Sequence, residues 1–530
     1  MNIARRTLAV FAITLVAAIL FDCKEARAAT VLQVGKNFTS STYMQNTDAL
    51  TADSDGAIGP NHFVEFINGR FAVYDKQSGA LVQSRTDFDF WTNSGVVFAD
   101  GLYTKAPRIV FDTGSQRWFV AEVDVDPVTV LSNRFLIAVS AGTDPTGAWS
   151  GFGFKADATG GNFVDFATLG IDANGVYLGG DVQNTNQSHI GCALVSINKN
   201  GMLANPASVT NRTSFGILAT NKYGVILQPV VTRGAASSGE TVLSIADLGL
   251  DLKPHSNVVA VVVQNAGGPG SATLSNTNRF KVPSYSVPLD APQPNGEVNL
   301  NDGDTRFGAT VYRIGDILYA VHSTEVSNRA AIQWFKINAT NFTVIQSGMI
   351  TNSSLHLFFP SIAANEAGNV VIACNGCSTN SFVSCYATLA EFTNGTLTFG
   401  SLVLVKAGTA GYRSLGSGGN GWGRYSSISV DPSDPNRFWT VQMFPVSRRV
   451  WSTQVTELIA GPLAVSVTPT NGNLLVSWPD SAVGFSLQSS TNIASTNWSA
   501  ASGTVTTNSN QISVLLPLSG NQGFYRLTKP

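Results

Sequence analysis

Pro107-Arg108-Ile109-Val110-Phe111-Asp112, then a turn at Thr113-Gly114, then Arg117-Trp118-Phe119-Val120 read as two short strands joined by a hairpin. An apolar run that stops at Gly, Asn, Asp or Pro and then restarts marks such a pair, because these residues supply the fixed or positive φ of tight turns. The unit recurs along the chain. His62-Phe63-Val64-Glu65-Phe66 follows Gly59-Pro60-Asn61, and Ser427-Ile428-Ser429-Val430-Asp431 precedes Pro432-Ser433-Asp434-Pro435-Asn436 and Arg437-Phe438-Trp439-Thr440. Further copies turn at Ala173-Asn174-Gly175, Asn221-Lys222-Tyr223-Gly224, Ile314-Gly315-Asp316 and Ala367-Gly368-Asn369.

A unit of about fifty residues built from short strands cannot bury its own faces, so successive units must stack radially. The fold class that follows is all-β, an about seven-bladed β-propeller followed by a small C-terminal β-sandwich. The spacing is irregular only between the fourth and fifth units, where residues 265–304, rich in Gly, Pro, Asn and Ser, read as an excursion over the surface. Val31-Leu32-Gln33-Val34 stands alone before the first unit, and the last unit runs short after Val450-Trp451-Ser452-Thr453-Gln454-Val455. An N-terminal strand that completes the final blade would close the ring. No amphipathic helix of ordinary length is apparent.

The propeller is assigned to residues 29–461. From residue 462 to 530 the pattern changes to alternating strands such as Leu474-Leu475-Val476-Ser477-Trp478 and Phe524-Tyr525-Arg526-Leu527, with Trp478 as the core plug of a sandwich.

Of the 530 residues 44% are hydrophobic and only 12% charged, while 50 are Gly, which suits a turn-rich extracellular β protein. A formal net charge of −2 argues against a general binder of nucleic acid or anionic membrane, since such proteins neutralise phosphates with basic patches. Residues 1–28 read as an export signal: Arg5 and Arg6, an apolar run from Leu8 to Phe21, and Ala26-Arg27-Ala28 as the cleavage site. A secreted or cell-surface monomer with no transmembrane span after cleavage is therefore expected. Cys192, Cys374, Cys377 and Cys385 remain, and the first lies in an apolar run as a buried thiol. Cys374-Asn375-Gly376-Cys377 has no His nearby to complete a metal site, so a disulfide of Cys374 with Cys385 is expected, with Cys377–Cys385 as the other pairing.

Ligands of propellers bind where the central channel opens, at the loops entering inner strands and leaving second strands. On this register Arg108, Asp165, Arg306, His356 and Arg424 enter inner strands, and Asp124, Asp126, Asp181, His189, His322, Glu325, Arg448 and Arg449 occupy the other loops. Arg108, Arg306 and Arg424 come from three units, and their guanidinium forks suit a shared carboxylate. An arginine triad serves sialidases in this way, with Asp124, Asp126 or Tyr425 as conceivable partners, although no Ser-x-Asp-x-Gly-x-x-Trp box is present. The bland alternative pairs each arginine with a neighbouring carboxylate. Asp124-Val125-Asp126 offers two carboxylates on one face for glycoside hydrolysis, or a loop that binds Ca²⁺ or solvent. His322 with Glu325, and Tyr425 or Arg424 as neutraliser, would suit a polysaccharide lyase, against a hydrogen-bonded structural histidine. Trp422 in Ser417-Gly418-Gly419-Asn420-Gly421-Trp422-Gly423 could stack on a sugar. That loop precedes a strand, so it lacks the helix N-terminus that would make it a phosphate cradle. No organic cofactor is implied.

Trp422-Gly423-Arg424-Tyr425-Ser426-Ser427-Ile428-Ser429-Val430-Asp431-Pro432 with Phe438-Trp439, Asp144-Pro145-Thr146-Gly147-Ala148-Trp149, and Ala320-Val321-His322-Ser323 with Trp334 resemble uncharacterised exported bacterial β-propellers over most of residues 45–460. The chain departs from that pattern at Arg424, where an acidic residue is usual. Ser477-Trp478-Pro479, Leu487-Gln488-Ser489-Ser490-Thr491-Asn492 and Phe524-Tyr525-Arg526-Leu527 resemble fibronectin type III-like modules that end exported proteins of Verrucomicrobia-type bacteria, and imply surface display or sorting. The expected function is binding of an extracellular glycan or other macromolecule, such as a protein, at the channel face. The alternative is a glycan-degrading enzyme on the same face, either a sialidase-like glycoside hydrolase or a polysaccharide lyase.

Overall fold

The computed structural model describes residues 30–129, 133–234, 239–268, 270–393, 395–415, 420–463, 465–479, 485–492, 495, 497–508, 511–517 and 523–528. The expected export segment 1–28 lies outside the described residues, as do Ser417-Gly418-Gly419.

Antiparallel four-stranded sheets succeed one another along the chain. Asp55–Ile58, His62–Ile67, Arg70–Asp75 and Leu81–Arg85 form the first, and Tyr103–Asp112, Arg117–Val125, Arg134–Ser140 and Trp149–Lys155 the next. Phe163–Ile171, Gly175–Gln183, His189–Asn198 and Arg212–Leu218 follow, then Val225–Arg233, Glu240–Ile245, His255–Gln264 and Asn278–Tyr285. Val311–Ile314, Ile317–Val326, Arg329–Asn338 and Val344–Ile350 precede His356–Ala364, Val370–Ser378, Ser381–Thr393 and Thr396–Phe399. The final sheet consists of Ser427–Val430, Arg437–Ser447, Val450–Pro462 and, from the other end of the chain, Thr30–Thr42.

First strands of neighbouring sheets run parallel to one another, with Val230 to Arg233 bridged to Val311 to Ile314 and Ile171 to Val231. That arrangement of sheets around an axis is a β-propeller. Bulky side chains fill the spaces between sheets, and Trp118, Trp439 and Trp451 are fully buried there, as the strand pattern predicts. No described helix is long and apolar enough to cross a membrane.

Three expectations need correction. The segment before Asn221-Lys222-Tyr223-Gly224 is not an inner strand: Arg212–Leu218 is the outer edge of the third sheet, and Val225–Arg233 is the inner strand of the fourth. Asn278–Tyr285, inside the supposed excursion 265–304, then supplies that sheet's outer strand, and the segment after it packs back into the core through Ala291, Gln293 and Leu300. The disulfide is also overturned. Cys374 lies opposite Tyr386 and Asn375 opposite Cys385, so the two sulfurs are offset by one residue and point to opposite faces of the sheet. They sit in different cores, and Cys192, Cys374, Cys377 and Cys385 are all free and buried.

The ring closes through the N-terminal strand, in register from Thr30 opposite Pro462 to Thr42 opposite Ser452. Buried Glu65 ties this seam. Its carboxylate accepts hydrogen bonds from Ser40, Ser41 and Thr453, and Arg70 lies 3.7 Å away, itself bonded to Ser41 at 2.6 Å. The C-terminal sandwich pairs Ser466–Thr470, Asn473–Pro479, Thr504–Asn508 and Gln511–Pro517 in one sheet and Ser486–Ser490, Ser499–Ala500 and Phe524–Thr528 in the other. Trp478 is in its core, and Val31 of the closing strand packs into the same cluster. Replacing Glu65 with Ala strands Arg70 and three hydroxyls in the seam, so urea unfolding should show a loss of about 3 to 5 kcal/mol; a loss below about 1 kcal/mol would mean that the seam does not depend on this carboxylate.

Candidate functional site

Inner strands begin with a bulge that the hairpin pattern does not announce. Asp53, Ala106, Phe166, Ile226 and Phe359 each adopt a positive φ, between 44° and 60°, at or just before the start of an inner strand's regular pairing. Four of them lie in register shifts of the ladder, from Lys105 to Arg108, Asp165 to Thr168, Val225 to Gln228 and Phe358 to Ser361. The bulge re-aims these residues at the axis. Two residues further on stand polar side chains, and several reach a neighbouring strand: Arg108 Nε donates to the Ala167 carbonyl at 2.8 Å, and Thr168 Oγ1 to that of Leu227 at 2.6 Å. Ser426 Oγ bonds the Phe359 carbonyl and Ser361, both at 2.9 Å.

Two cavities open above this stitched axis. The smaller, about 310 Å³, is bounded by Phe166, Asp304, Arg306, His322, Phe359, Trp422, Arg424 and Tyr425. The larger, about 640 Å³, is bounded by Asp48, Asp53, Asp87, Tyr103, Lys105 and Asp165. Thr51, Phe166 and Arg424 border both. Volumes of this order are those of ligand sites.

The three arginines gather around Phe166 but play different parts. Arg108 is buried: it bonds the carbonyls of Ala167 and Gly308, lies 3.9 Å from Asp55, and stacks on Tyr425 at 3.7 Å and on Phe166 at 5.3 Å. It braces the channel floor. Arg306 grips Asp304 in a two-pronged fork at 2.6 to 2.9 Å and lies 4.4 Å from the Phe166 ring. Burial works against its charge, but Asp304, Asp181 and Asp165 hold the guanidinium above its ordinary range. Arg424 is exposed and makes no hydrogen bond or ion pair with any described residue.

The other candidates are already engaged. Burial would raise the Asp165 carboxyl, yet Lys105 at 2.9 Å and the charge of Arg424 bring it below its ordinary value. Asp124 is buried and held by Arg134 Nε and the Arg134 amide, both at 2.6 Å, while Asp126 caps the turn at Val128 and Thr129. Neither borders either of these two cavities, so this pair does not face a substrate held in them. His322 does border the smaller cavity, but it is buried beside Tyr285, Phe307 and Phe335, with its ring nitrogens on the Thr305 carbonyl and, at 2.8 Å, Gln333. Burial lowers its basicity despite those bonds. Glu325 is three residues away along an extended strand, hence on the opposite face, where it caps the turn at Asn328. The histidine and glutamate do not form a dyad. Burial raises the Tyr425 hydroxyl well above its ordinary value, and Trp422 is buried rather than displayed, bonded to Asn375 at 3.0 Å and packed edge-on against Tyr412. Away from the cavities, Arg448 pairs with Glu297, Asp181 with His189, and His356 accepts from the Ala330 amide.

Phe166, Asp304, Asp53 and Lys105 were not singled out as site residues by the hairpin register. Asp304 lies two residues from Arg306, a spacing that could have pointed to it; the positive φ at Phe166 leaves no signal in residue type.

No protein-family model matches the chain, and no curated protein sequence matches it significantly. Among solved structures, Drosophila Plexin A in complex with Semaphorin 1b is 9% identical, with a TM-score of 0.35 over 81% of this chain and 88% of that one. A mutant Trypanosoma rangeli sialidase displaying trans-sialidase activity is 11% identical, with a TM-score of 0.35; this alignment covers 80% of this chain but only 59% of the sialidase. A Dyadobacter fermentans protein of unknown function is 11% identical, with a TM-score of 0.36 over 69% of this chain and 97% of that one. Likenesses this distant carry no argument about ligand or activity.

Burial pushes the Asp55 carboxyl beneath the site up from 3.8 to about 6, against the attraction of Arg108. The folded state then holds this proton more firmly than the unfolded chain, so the stabilisation is complete below pH 3.8 and is lost as pH rises through 6. Between pH 4 and 7 Asp55→Asn should gain on the parent protein by about 2 kcal/mol in urea unfolding. A gap between the two proteins that is the same at every pH would contradict the shift.

Proposed function

We propose that this chain is an exported propeller of seven blades that binds an acidic glycan at the mouth of its channel, with Arg424 as the anchor for a sugar carboxylate. The observation that carries the reading is the state of that guanidinium: it stands exposed where two cavities meet, and it feels the charges of Asp165 and Asp304 but makes no hydrogen bond or ion pair with any described residue. A guanidinium fork matches a carboxylate in geometry and charge, and the adjoining rings of Phe166 and Phe359 provide apolar walls.

Binding is favoured over catalysis because hydrolysis or elimination needs an acid and a base with free hands around one substrate. In the smaller cavity Asp304 is spent on Arg306, His322 on Thr305 and Gln333, and Tyr425 is stacked beneath Arg108. The strand groupings, with the N-terminal strand completing the last sheet, support the blade number, and residues 1–28 support export.

Titration of the full chain with oligogalacturonate in a calorimeter should give saturable binding, and Arg424→Gln should weaken it by about tenfold or more, with Arg424→Lys intermediate. Incubation should release neither reducing ends nor unsaturated product. Equal affinity of Arg424→Gln and the parent protein would refute the assignment.

A further inference from the structure

We infer that the larger cavity is a subsite for the ammonium group of an amino sugar, received by Asp53 and Asp48, so that the glycan bound here carries both charges on neighbouring residues. This rests on the glycan-binding reading of the same cleft and specifies its second half.

The carboxylates around this cavity are not equivalent. Asp165 is matched by Lys105 at 2.9 Å, and Asp87 accepts the amides of Gly69 and Phe88, both at 2.7 Å, at the start of the helix Asp87–Asn93. Asp53 has no such partner. It borders the cavity, its residue is only 7% exposed, and no described residue hydrogen-bonds its carboxylate; Oδ1 is buried, which leaves Oδ2 to meet a ligand. Asp48, which also borders the cavity, is exposed and makes no hydrogen bond or ion pair with any described residue. A buried carboxylate left without a donor is costly, and an ammonium group brings three donors and the opposite charge.

The shape argues against a bare divalent ion. Among the described residues no three of these side chains bring ligand atoms within 4.8 Å of one another, whereas Ca²⁺ gathers about six to eight oxygens in one shell. An organic cation that reaches separated carboxylates suits the cavity better. The exposed rings of Phe88 and Tyr103 border it, and such rings stack on the apolar face of a sugar, which favours an amino sugar over a lysine side chain.

The test is calorimetry on the full chain with a fully deacetylated chitosan hexamer, the N-acetylated chitin hexamer, oligogalacturonate and a heptalysine peptide. The chitosan hexamer should bind, and the neutral chitin hexamer about tenfold more weakly or not at all. Asp53→Asn and Asp48→Asn should each weaken chitosan binding severalfold or more and leave oligogalacturonate undiminished. Asp48 is on the surface, so its variant reports on binding even if Asp53→Asn perturbs folding. Failure of the chitosan hexamer to bind, or binding unchanged in both variants, overturns the inference. Heptalysine binding that depends on these residues, in the absence of chitosan binding, overturns the sugar assignment. Loss of oligogalacturonate binding alone, with chitosan still dependent on Asp53, would count against Arg424 as the carboxylate anchor and leave the ammonium subsite standing.

Discussion

A ring of separate sheets is stable only if it closes, and here the seam is the pairing of Thr30–Thr42 with Val450–Pro462. Each sheet buries its two faces against its neighbours, so an open ring would expose two apolar faces to water. The closing strand draws the last sheet towards the first, where Glu65 binds hydroxyls from both ends of the chain, and its first residues help to seat the C-terminal sandwich. The cleft inherits this constraint. Arg108, Phe166, Phe359 and Arg424 belong to or precede four different inner strands, and they meet only because the ring brings those strands together.

Within the ring, polar chemistry divides into two uses. Most charged groups near the axis are spent on architecture: Arg108 spans the carbonyls of Ala167 and Gly308, Arg306 is locked to Asp304, and Lys105 to Asp165. Such pairs satisfy groups that would be costly to bury alone, and they have little left to offer a ligand. Arg424, Asp53 and Asp48 border the cavities without a hydrogen bond or ion pair to any described residue, and they give the cleft its two-signed character.

The architecture was legible because hairpins leave period-two apolar runs and turn residues in plain view. The misreading at Asn221-Lys222-Tyr223-Gly224 has a physical cause: an outer strand followed by a turn of helix, Thr220–Tyr223, presents the same apolar-turn-apolar pattern as an inner hairpin. Parity was the missing constraint for Cys374 and Cys385, since cysteines close in sequence across a hairpin can share a face only in the correct register. The convergence of Arg108, Arg306 and Arg424 followed from counting strand entrances. Their division of labour did not, because it depends on which carbonyls and carboxylates lie within reach. Bulges such as that at Phe166 were hidden for a related reason, as nothing in an aromatic side chain announces a positive φ.

The most direct measurement is a crystal structure of the full chain soaked with oligogalacturonate. The account predicts a sugar carboxylate on the Arg424 guanidinium at the junction of the two cavities, with the Arg306–Asp304 fork and the Arg108 contacts unchanged. A carboxylate held by Arg306 with Asp304 displaced, or a ligand bound away from the channel mouth, would contradict it.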